Sequence, residues 1–139
     1  MIKLSKSFWK NKKILITGHT GFKGAWLSLV MKHFGAKVYG ISLRPKNKIN
    51  LYDSIKKNTF EKSYIFDLRD LKKSKNIINK IRPEVIFHFA AQPIVSEGYK
   101  DPSNTYSANI MSTINIFESL RSNKFCKILL ISTTDKVYE

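Results

Sequence analysis

Lys13–Gly35 reads KILITGHTGFKGAWLSLVMKHFG: a short run rich in isoleucine, a loop with three glycines and a stretch of helical period. The first five residues predict a buried strand. Residues 22–34 predict a helix that ends at Gly35, where glycine suits a left-handed C-cap. A strand, a glycine turn and a helix in this order are typical of the first unit of a parallel α/β sheet.

Downstream of this unit, short β-branched runs alternate with longer segments of helical period. Segments 43–62 and 90–102 are interpreted as loops, the first with a short helical turn near Tyr52. Pro83 ends the helix that is predicted over residues 71–81. Strands are predicted over 37–42, 63–67, 85–90 and 127–132, and helices over 71–81, with Asp70 as N-cap, and 103–120.

Strands that alternate with helices require right-handed crossovers, which produce a parallel sheet with helices on both faces. The predicted fold class is therefore α/β, a Rossmann-like doubly wound parallel sheet with strand order 3-2-1-4-5. A complete fold of this kind continues to a sixth strand. We therefore expect residues 1–139 to form one incomplete domain of a longer protein, truncated before the last strands and the substrate domain.

Composition narrows the class of protein. The chain has 139 residues and one cysteine, Cys126, which excludes an internal disulfide and fits a reducing compartment. With its histidines scattered, the sequence predicts no metal site. The N-terminus MIKLSKSFWKNKK interrupts its apolar residues with lysine, so it predicts neither a signal peptide nor a membrane span. We expect a cytoplasmic protein without membrane association.

The net charge of +15 raises the question of nucleic-acid binding. The excess is mostly lysine spread over the whole length, whereas base readout favours arginine, which occurs only at positions 44, 69, 82 and 121. We interpret the lysines as a solvated surface and expect no specific nucleic-acid partner. A weak, salt-sensitive affinity for polyanions is the alternative.

Gly18, Gly21 and Gly24 have the spacing G-x-x-G-x-x-G between a strand and a helix. In this context the first glycine makes the tight turn, the second lets the backbone approach a pyrophosphate, and the third allows close packing of the helix on the sheet. The pyrophosphate would bind the N–H groups at the helix N-terminus. A dinucleotide site is favoured over a purely structural turn, and a mononucleotide P-loop is excluded because no Gly-Lys-Ser/Thr follows.

With Thr17 before its first glycine, the loop resembles the T-G-x-x-G-x-x-G loop of the short-chain dehydrogenase/reductase superfamily, specifically of its extended, sugar-nucleotide-modifying members. The tract HFAAQ, 88–92, is similar to the H-x-A-A element of these proteins, and Asn109 matches their helix asparagine. Asp67 stands where the family uses an acid to hold the adenine amine. The resemblance implies an NAD(P)-binding Rossmann domain with these cofactor-binding residues: Gly18, Thr20, Gly21, Phe22, Lys23, Gly24, Ser42, Arg44, Asp67, Leu68, Ala90, Ala91, Gln92 and Asn109.

Each of these matches has a structural alternative. His88 on its own is more often a hydrogen-bonded core histidine, Asp67 a turn cap, and Asn109 a side chain that satisfies backbone near a helix bend. Lys23 is either a cation near the phosphates or a solvated lysine in the first turn of a helix. The order and spacing of the matches favour the cofactor interpretation.

The end of the second strand bears on which dinucleotide fits. An Asp or Glu there accepts the ribose 2′-OH of NAD, and a nearby Arg suits the 2′-phosphate of NADP. Ser42 occupies this position, and Arg44 follows two residues later. The expected cofactor is NAD, and from the residues alone NADP stays open.

The chain ends with ISTTDKVYE, residues 131–139, after the fifth predicted strand. Ligands of such sheets bind beyond the carboxyl ends of the strands. Thr134, Asp135 and Lys136 therefore predict a hydrogen-bond donor, a general acid and a general base beside the reacting ring of the cofactor. A solvated strand end is the alternative.

The chain resembles the CDP-glucose 4,6-dehydratases in three features: the Asp-Lys pair, the N-terminal pattern FW-x-x-K followed by TGHTGFKGAWLS, and the ending TDK-x-YE. This resemblance covers essentially the whole chain. It implies a conversion of CDP-glucose to CDP-4-keto-6-deoxyglucose with NAD. By matching positions, Thr134 would bind the C4 oxygen, Asp135 would act as acid at C6, and Lys136 would act as base at C5.

The chain departs from this family pattern in two places. After AAQP the family has basic residues, whereas this chain has Ser96, Glu97 and Gly98. The family's Tyr-x-x-x-Lys pair, which activates hydride transfer, is expected downstream of Glu139, so the chain alone is expected to be inactive. The resemblance also implies a homo-oligomeric full-length protein. Three alternatives stay open: a UDP-N-acetylglucosamine 4,6-dehydratase, a sugar-nucleotide epimerase and a non-catalytic NAD(P)-binding module.

Overall fold

The computed structural model of the chain describes residues 6–133. Its elements are, in chain order, α1 (Lys6–Trp9), β1 (Lys13–Thr17), α2 (Phe22–His33), β2 (Lys37–Ser42), α3 (Leu51–Thr59), β3 (Phe60–Ile65), α4 (Leu71–Ile81), β4 (Val85–His88), α5 (Val95–Lys100), α6 (Pro102–Tyr106), a π-helical turn (Ser107–Met111), α7 (Ser112–Leu120) and β5 (Ile128–Ile131). The strands form one parallel sheet in the order β3-β2-β1-β4-β5. The predicted α/β class and strand order are confirmed.

Successive side chains of the central strand β1 alternate between the two faces of the sheet. Ile14 and Ile16 share one buried cluster with Met31 of α2, and Leu15 shares a second cluster with Ile78 of α4. Burying a side chain of this size contributes about 1.5–3 kcal/mol. Helices packed on both faces therefore hold the strand that carries the glycine loop.

The segment between β2 and β3 differs from the predicted loop. Leu51–Thr59 forms a helix whose N-terminus is capped by Asn50, and β3 begins at Phe60, three residues earlier than predicted. The prediction was wrong because α3 is mostly polar and buries only Tyr52 and Thr59, although Leu51 and Ile55 recur at helical spacing. In addition, β3 is an edge strand whose side chains are half-buried or exposed.

The region after β4 contains more helix than predicted. β4 ends at His88 instead of Ala90, and the predicted loop includes α5. The single helix predicted over 103–120 consists of α6, the π-helical turn and α7, and Asn109 lies in the π-helical turn. Such turns are frequent at functional sites. At the end of α2, Gly35 has φ 84°, the left-handed conformation that was predicted.

The part of the chain that the structure describes contains no helix long and apolar enough to cross a bilayer. Within the same residues, no group of three His, Cys, Asp or Glu side chains is placed to hold a metal ion.

Candidate dinucleotide-binding site

The glycine loop packs tightly between the ends of β1, β2 and β4. Gly18 has φ 71°, and its N–H donates to the carbonyl of Ile41 over 2.9 Å. A Cβ at Gly18 would lie 2.8 Å from the nitrogen of Ala90, and a Cβ at Gly24 would lie 2.8 Å from the carbonyl carbon of Gly18. The loop itself therefore requires both glycines. A Cβ at Gly21 has more room, 3.3 Å from the Gly18 oxygen.

The N-terminus of α2 has no side-chain cap. The N-termini of α3, α4 and α6 are capped by the side chains of Asn50, Asp70 and Asp101. The N-cap of α2 is Gly21, which makes no such bond. The first N–H groups of an α-helix, here those of residues 22–24, have no acceptor within the helix, and the helix dipole makes this end attractive to anions. The arrangement fits the predicted pyrophosphate.

Phe22 and Lys23 occupy the first turn of α2, next to this helix end. Phe22 is 78% exposed and continues along the helix into an apolar stripe with Trp26 and Val30. Lys23 is exposed, and no carboxylate among residues 6–133 forms an ion pair with it. Its ammonium is therefore available to an anion at the helix N-terminus.

His19 does not face the open side of the loop. Its ring is fully buried, packs edge-on against Tyr52 and Phe60 at centroid distances of 5.2 and 4.9 Å, and places Nε2 2.7 Å from Oγ of Ser63. Burial lowers the pKa of His19 to about 4. The ring is neutral at neutral pH and adds no charge to the phosphate site.

Thr17, the last residue of β1, is the centre of a buried hydrogen-bond network. Its Oγ1 accepts from the N–H groups of Phe89 and Ala90 over 3.1 and 3.2 Å, and lies 2.7 Å from Nδ1 of His88. Because both acceptor positions of the hydroxyl are filled, its O–H donates to Nδ1. His88 therefore carries its proton on Nε2, consistent with burial that lowers its pKa to about 4.

The network continues into the π-helical turn. Nε2 of His88 donates to Oγ1 of Thr113 over 3.1 Å, and Thr113 donates to the carbonyl of Asn109 over 2.8 Å. Asn109 binds the backbone of Gln92 twice: Oδ1 accepts from the N–H over 2.7 Å, and Nδ2 donates to the carbonyl over 3.3 Å. His88 is thus a hydrogen-bonded core histidine, and Asn109 satisfies backbone groups, which are the structural alternatives given above. Together they hold the segment after β4. Direct contact of Asn109 with a cofactor stays a prediction.

The side chain of Gln92 is also fixed. Its Nε2 donates to Oγ1 of Thr105 over 3.0 Å and to the carbonyl of Ile94 over 3.1 Å, and its Oε1 accepts from the Ile94 N–H over 2.7 Å. Ala90 and Ala91 lie between β4 and this anchored residue. Their small side chains leave room for a ligand over the backbone at the carboxyl end of the sheet.

The carboxylate of Asp67, two residues beyond β3, is bound by Arg69. Arg69 donates its backbone N–H to Oδ1 over 2.9 Å and its Nη2 to Oδ2 over 2.6 Å, and these bonds hold the pKa of Asp67 below its usual value. The same guanidinium reaches Oδ1 of Asn104 in α6 over 2.9 Å. Leu68 between them is buried, and its carbonyl accepts from Asn115 over 2.8 Å. An adenine amine at Asp67 would share the carboxylate with Arg69.

At the end of β2, Ser42 and Thr20 connect the strand to the glycine loop. Their hydroxyl oxygens are 2.8 Å apart, and Thr20 donates to the carbonyl of Leu43 over 2.9 Å. Because the single proton of Thr20 is used there, Ser42 donates to Thr20. Arg44 follows on the exposed side of this turn.

The sheet also brings Ser132, the first residue after β5, to this edge. The N–H of Ser132 donates to the carbonyl of His88 over 3.1 Å, beside the end of β4. Thr134, Asp135 and Lys136 lie outside the described residues, and their catalytic roles stay predictions.

The sequence did not reveal Arg69, Thr113 and Thr105, whose hydrogen bonds hold Asp67, His88 and Gln92 in place. Two of them had a usable signal: Thr113 is one helical turn after Asn109, and Arg69 is an arginine two residues after a predicted ligand-binding carboxylate.

The sheet order, the glycine loop at its central strand and the anchored segment after β4 define the Rossmann-type class of doubly wound α/β proteins. Within this class, the sequence model of the GDP-mannose 4,6 dehydratase family matches residues 15–138, and the chain belongs to this family.

Two curated relatives extend this result. The chain is 40% identical over 136 residues to a CDP-glucose 4,6-dehydratase of Salmonella typhimurium, covering 98% of this chain and 38% of that protein. It is 30% identical over 118 residues to a GDP-mannose 4,6-dehydratase of Yersinia enterocolitica, covering 81% of this chain and 32% of that protein. The resemblance to nucleotide-sugar 4,6-dehydratases is confirmed. The chain spans less than two fifths of the length of these relatives.

Solved structures support the fold. UDP-glucose 4-epimerase of Thermotoga maritima with UDP-glucose superposes with a TM-score of 0.76 at 25% identity, over 88% of this chain and 38% of that one. UDP-glucose-4-epimerase of Stenotrophomonas maltophila, with bound NAD and formylated UDP-arabinopyranose, superposes with a TM-score of 0.77 at 20% identity. The superposition covers 90% of this chain and 38% of that one.

Proposed function

We propose that the chain is the dinucleotide-binding part of a nucleotide-sugar 4,6-dehydratase that uses NAD and acts on CDP-glucose. The observation that carries the proposal is the glycine loop, which leads from the central strand of the sheet into a helix, α2, without a side-chain cap. Similarity to the Salmonella CDP-glucose 4,6-dehydratase over 98% of the chain supports the substrate class. A cytoplasmic location and a homo-oligomeric full-length protein, both expected from the sequence, are part of the proposal.

The described residues fit a dinucleotide. The N–H groups of residues 22–24 would bind the pyrophosphate, with the Lys23 ammonium beside them. Asp67 and the backbone of Leu68 would bind the adenine. The segment Ala90–Gln92, held by Asn109, would support the nicotinamide end.

NAD supplies a hydride acceptor that takes hydrogen from C4 of the hexose and later returns it to C6. The tyrosine of the Tyr-x-x-x-Lys pair expected downstream would take the proton of the C4 hydroxyl as the hydride leaves, and Thr134 would hydrogen-bond the C4 oxygen. Lys136 would take the C5 proton, and Asp135 would protonate the C6 hydroxyl as it leaves as water. Lys136 would then return the proton to C5 as the hydride reaches C6. The elimination needs both a base and an acid, which the adjacent Asp-Lys pair provides.

An epimerase is the second candidate, favoured by the fold of the UDP-glucose 4-epimerases and by 27% identity to one from Mycoplasma genitalium. An epimerase returns the hydride to C4 and eliminates nothing, so it does not need the Asp135–Lys136 pair. A non-catalytic NAD(P)-binding module has no use for that pair either. We therefore place the dehydratase first.

Binding of NADH to the purified chain, followed by nicotinamide fluorescence, tests the dinucleotide site. Gly21→Ala places a methyl group at the uncapped helix end, where its Cβ would lie 3.3 Å from the Gly18 oxygen. In protein that circular dichroism shows to be folded, it should weaken NADH binding about tenfold or more by obstructing the pyrophosphate. Ser122→Ala is the control: it changes one small exposed residue after α7, before β5 and outside the proposed site, and should bind NADH like the wild type. Wild-type chain that folds but does not bind NADH would refute the proposal.

The type of reaction is tested in a chimera in which this chain replaces the matching segment of the Salmonella relative, which then supplies the substrate domain that the chain is expected to lack. Purified chimera is incubated with NAD and CDP-glucose, and the 4-keto product is detected by its alkali-induced absorbance. We expect 4-keto product. A chimera that binds NADH but forms no keto product would refute the dehydratase, and epimerised sugar without keto product would favour the epimerase.

A further inference from the structure

We propose that Arg69 is a positioning residue that joins the two ends of the dinucleotide site through the helical segment 102–120. Its guanidinium binds both the carboxylate of Asp67, the predicted adenine ligand, and the side chain of Asn104 in α6. The inference rests on the dinucleotide site proposed above. It concerns how the two ends of that site are kept in register before a ligand binds.

The two ends of the site follow strands that are not neighbours in the sheet. Asp67 comes after β3 and residues 90–92 come after β4, and the strands β2 and β1 lie between them. Three strand spacings of about 4.8 Å put β3 and β4 about 14 Å apart. The hydrogen bonds of the sheet therefore do not join the two ends directly, and the helices packed on the sheet make the connection.

The helical segment 102–120 holds the end that is proposed to support the nicotinamide. Asn109, in its π-helical turn, binds the backbone of Gln92 twice, over 2.7 and 3.3 Å. Thr105, in α6, accepts from the side chain of Gln92 over 3.0 Å. These two residues are four positions apart in one continuous helical segment, so the chain after β4 is fixed to that segment.

The same helical segment holds the adenine end through two side chains. Asn115 of α7 is buried, and its Nδ2 donates to the carbonyls of Leu68 and Arg69 over 2.8 and 2.9 Å. Arg69 donates Nη1 to Oδ1 of Asn104 over 2.9 Å. It also donates Nη2 to Oδ2 of Asp67 over 2.6 Å. One helical segment is therefore bound both to the chain after β3 and to the chain after β4.

Arginine is suited to this bridge because its planar guanidinium presents its donors in fixed directions. Nε and Nη2 of Arg69 face the carboxylate of Asp67, whereas Nη1 faces α6. Arg69→Lys would keep a positive charge beside Asp67, but a compact ammonium does not reproduce the fork. A ligand that spans both ends of the site gains from the bridge, because it need not order the two ends relative to each other.

The test compares NADH, which spans both ends, with ADP, which reaches only the adenine and pyrophosphate end. NADH binding to the purified chain is followed by nicotinamide fluorescence, and ADP binding by displacement of NADH. Arg69→Lys and Asn104→Ala change exposed residues and leave a cation beside Asp67. Each should weaken NADH about three- to fivefold and ADP less than about twofold. Asn76→Ala, on the exposed face of α4, is the matched control and should change neither constant.

The double variant of Arg69→Lys and Asn104→Ala distinguishes a bridge from two independent effects. Because both changes break the same contact, the double variant should bind NADH as weakly as either single variant does. Losses that multiply in the double variant, unchanged NADH binding in the single variants, or equal losses of NADH and ADP would each overturn the inference and leave the dinucleotide site standing. Wild-type chain that binds neither NADH nor ADP would refute the dinucleotide site itself, and the inference with it.

Discussion

The ring of His19 occupies the space that a side chain at residue 40 would need. A Cβ on Gly40 would lie 2.6 Å from Nδ1 of His19, closer than non-bonded atoms pack. The ring reaches this place from the glycine loop and is enclosed by Tyr52 and Phe60 on the other side. A glycine in the middle of β2 thus lets a loop histidine become part of the core.

We expect Gly40→Ala to lower the free energy of unfolding by about 1–3 kcal/mol, because the added methyl forces the enclosed ring to move. Urea unfolding measures the change. In a His19→Ala background the ring is absent, so Gly40→Ala should cost much less, and the double-mutant cycle should show coupling between the two residues. If Gly40→Ala lowers the free energy of unfolding equally in both backgrounds, the His19 ring does not depend on the missing side chain at residue 40.

Stability should fall as the pH is lowered from about 6.5 to about 4. Folded His19 and His88 both have a pKa of about 4, lowered by burial from the ordinary 6.5. Between these values the unfolded chain binds protons that the folded chain does not, so acidification favours unfolding. Each histidine contributes a slope of up to about 1.4 kcal/mol per pH unit, and its stabilisation is complete above pH 6.5.

Urea titrations at several pH values between 4 and 7 measure this slope. His19→Gln and His88→Asn each replace a titrating ring by a neutral amide that keeps part of its hydrogen bonding. Each variant should lose part of the slope, and the double variant should lose more. A slope that is unchanged in the double variant would assign the acid sensitivity to other groups.

The sequence predicted the sheet because buried strands and amphipathic helices have distinct periods, and the glycine loop because its spacing has a geometric reason. It failed for α3, which is polar and buries two residues, and for the start of β3, an exposed edge strand. Periodicity reports burial, so elements that bury little are hard to find. The network from Thr17 through His88 could not be predicted, since it depends on which way hydroxyl and ring atoms point.

That network gives a third prediction. Thr17→Val keeps the shape of the side chain but removes the hydroxyl, which leaves Nδ1 of His88 and the N–H of Ala90 without this partner. Leaving buried polar groups unpaired costs about 1–3 kcal/mol each, so we expect a loss of about 2–4 kcal/mol in urea unfolding. Thr17→Ser retains the hydroxyl and should cost about 1 kcal/mol, the value of a buried methyl group. Similar losses in both variants would assign the effect to packing.

Asn109 should control dinucleotide binding more than stability. Asn109→Leu removes both bonds to the backbone of Gln92 and frees the segment after β4 that is proposed to support the nicotinamide. We expect NADH affinity to fall about tenfold, because the ligand must then order this segment itself. Asn79→Leu makes the same change on the exposed face of α4 and should bind NADH like the wild type. If Asn109→Leu binds NADH normally, the bonds to Gln92 serve the fold alone.

The proton-transfer pair is tested last, in the chimera with the Salmonella relative. Lys136→Ala removes the proposed C5 base, and we expect the 4-keto product to disappear while NADH binding stays within about threefold of the unsubstituted chimera, because a base at C5 acts on the sugar and not on the dinucleotide. Asp135→Asn removes the proposed acid and should likewise abolish product with binding retained. Lys127→Ala, an exposed lysine just before β5, is the matched control and should turn over normally. Full activity of Lys136→Ala would assign the C5 proton to another residue and remove the main sequence argument for a dehydratase over an epimerase.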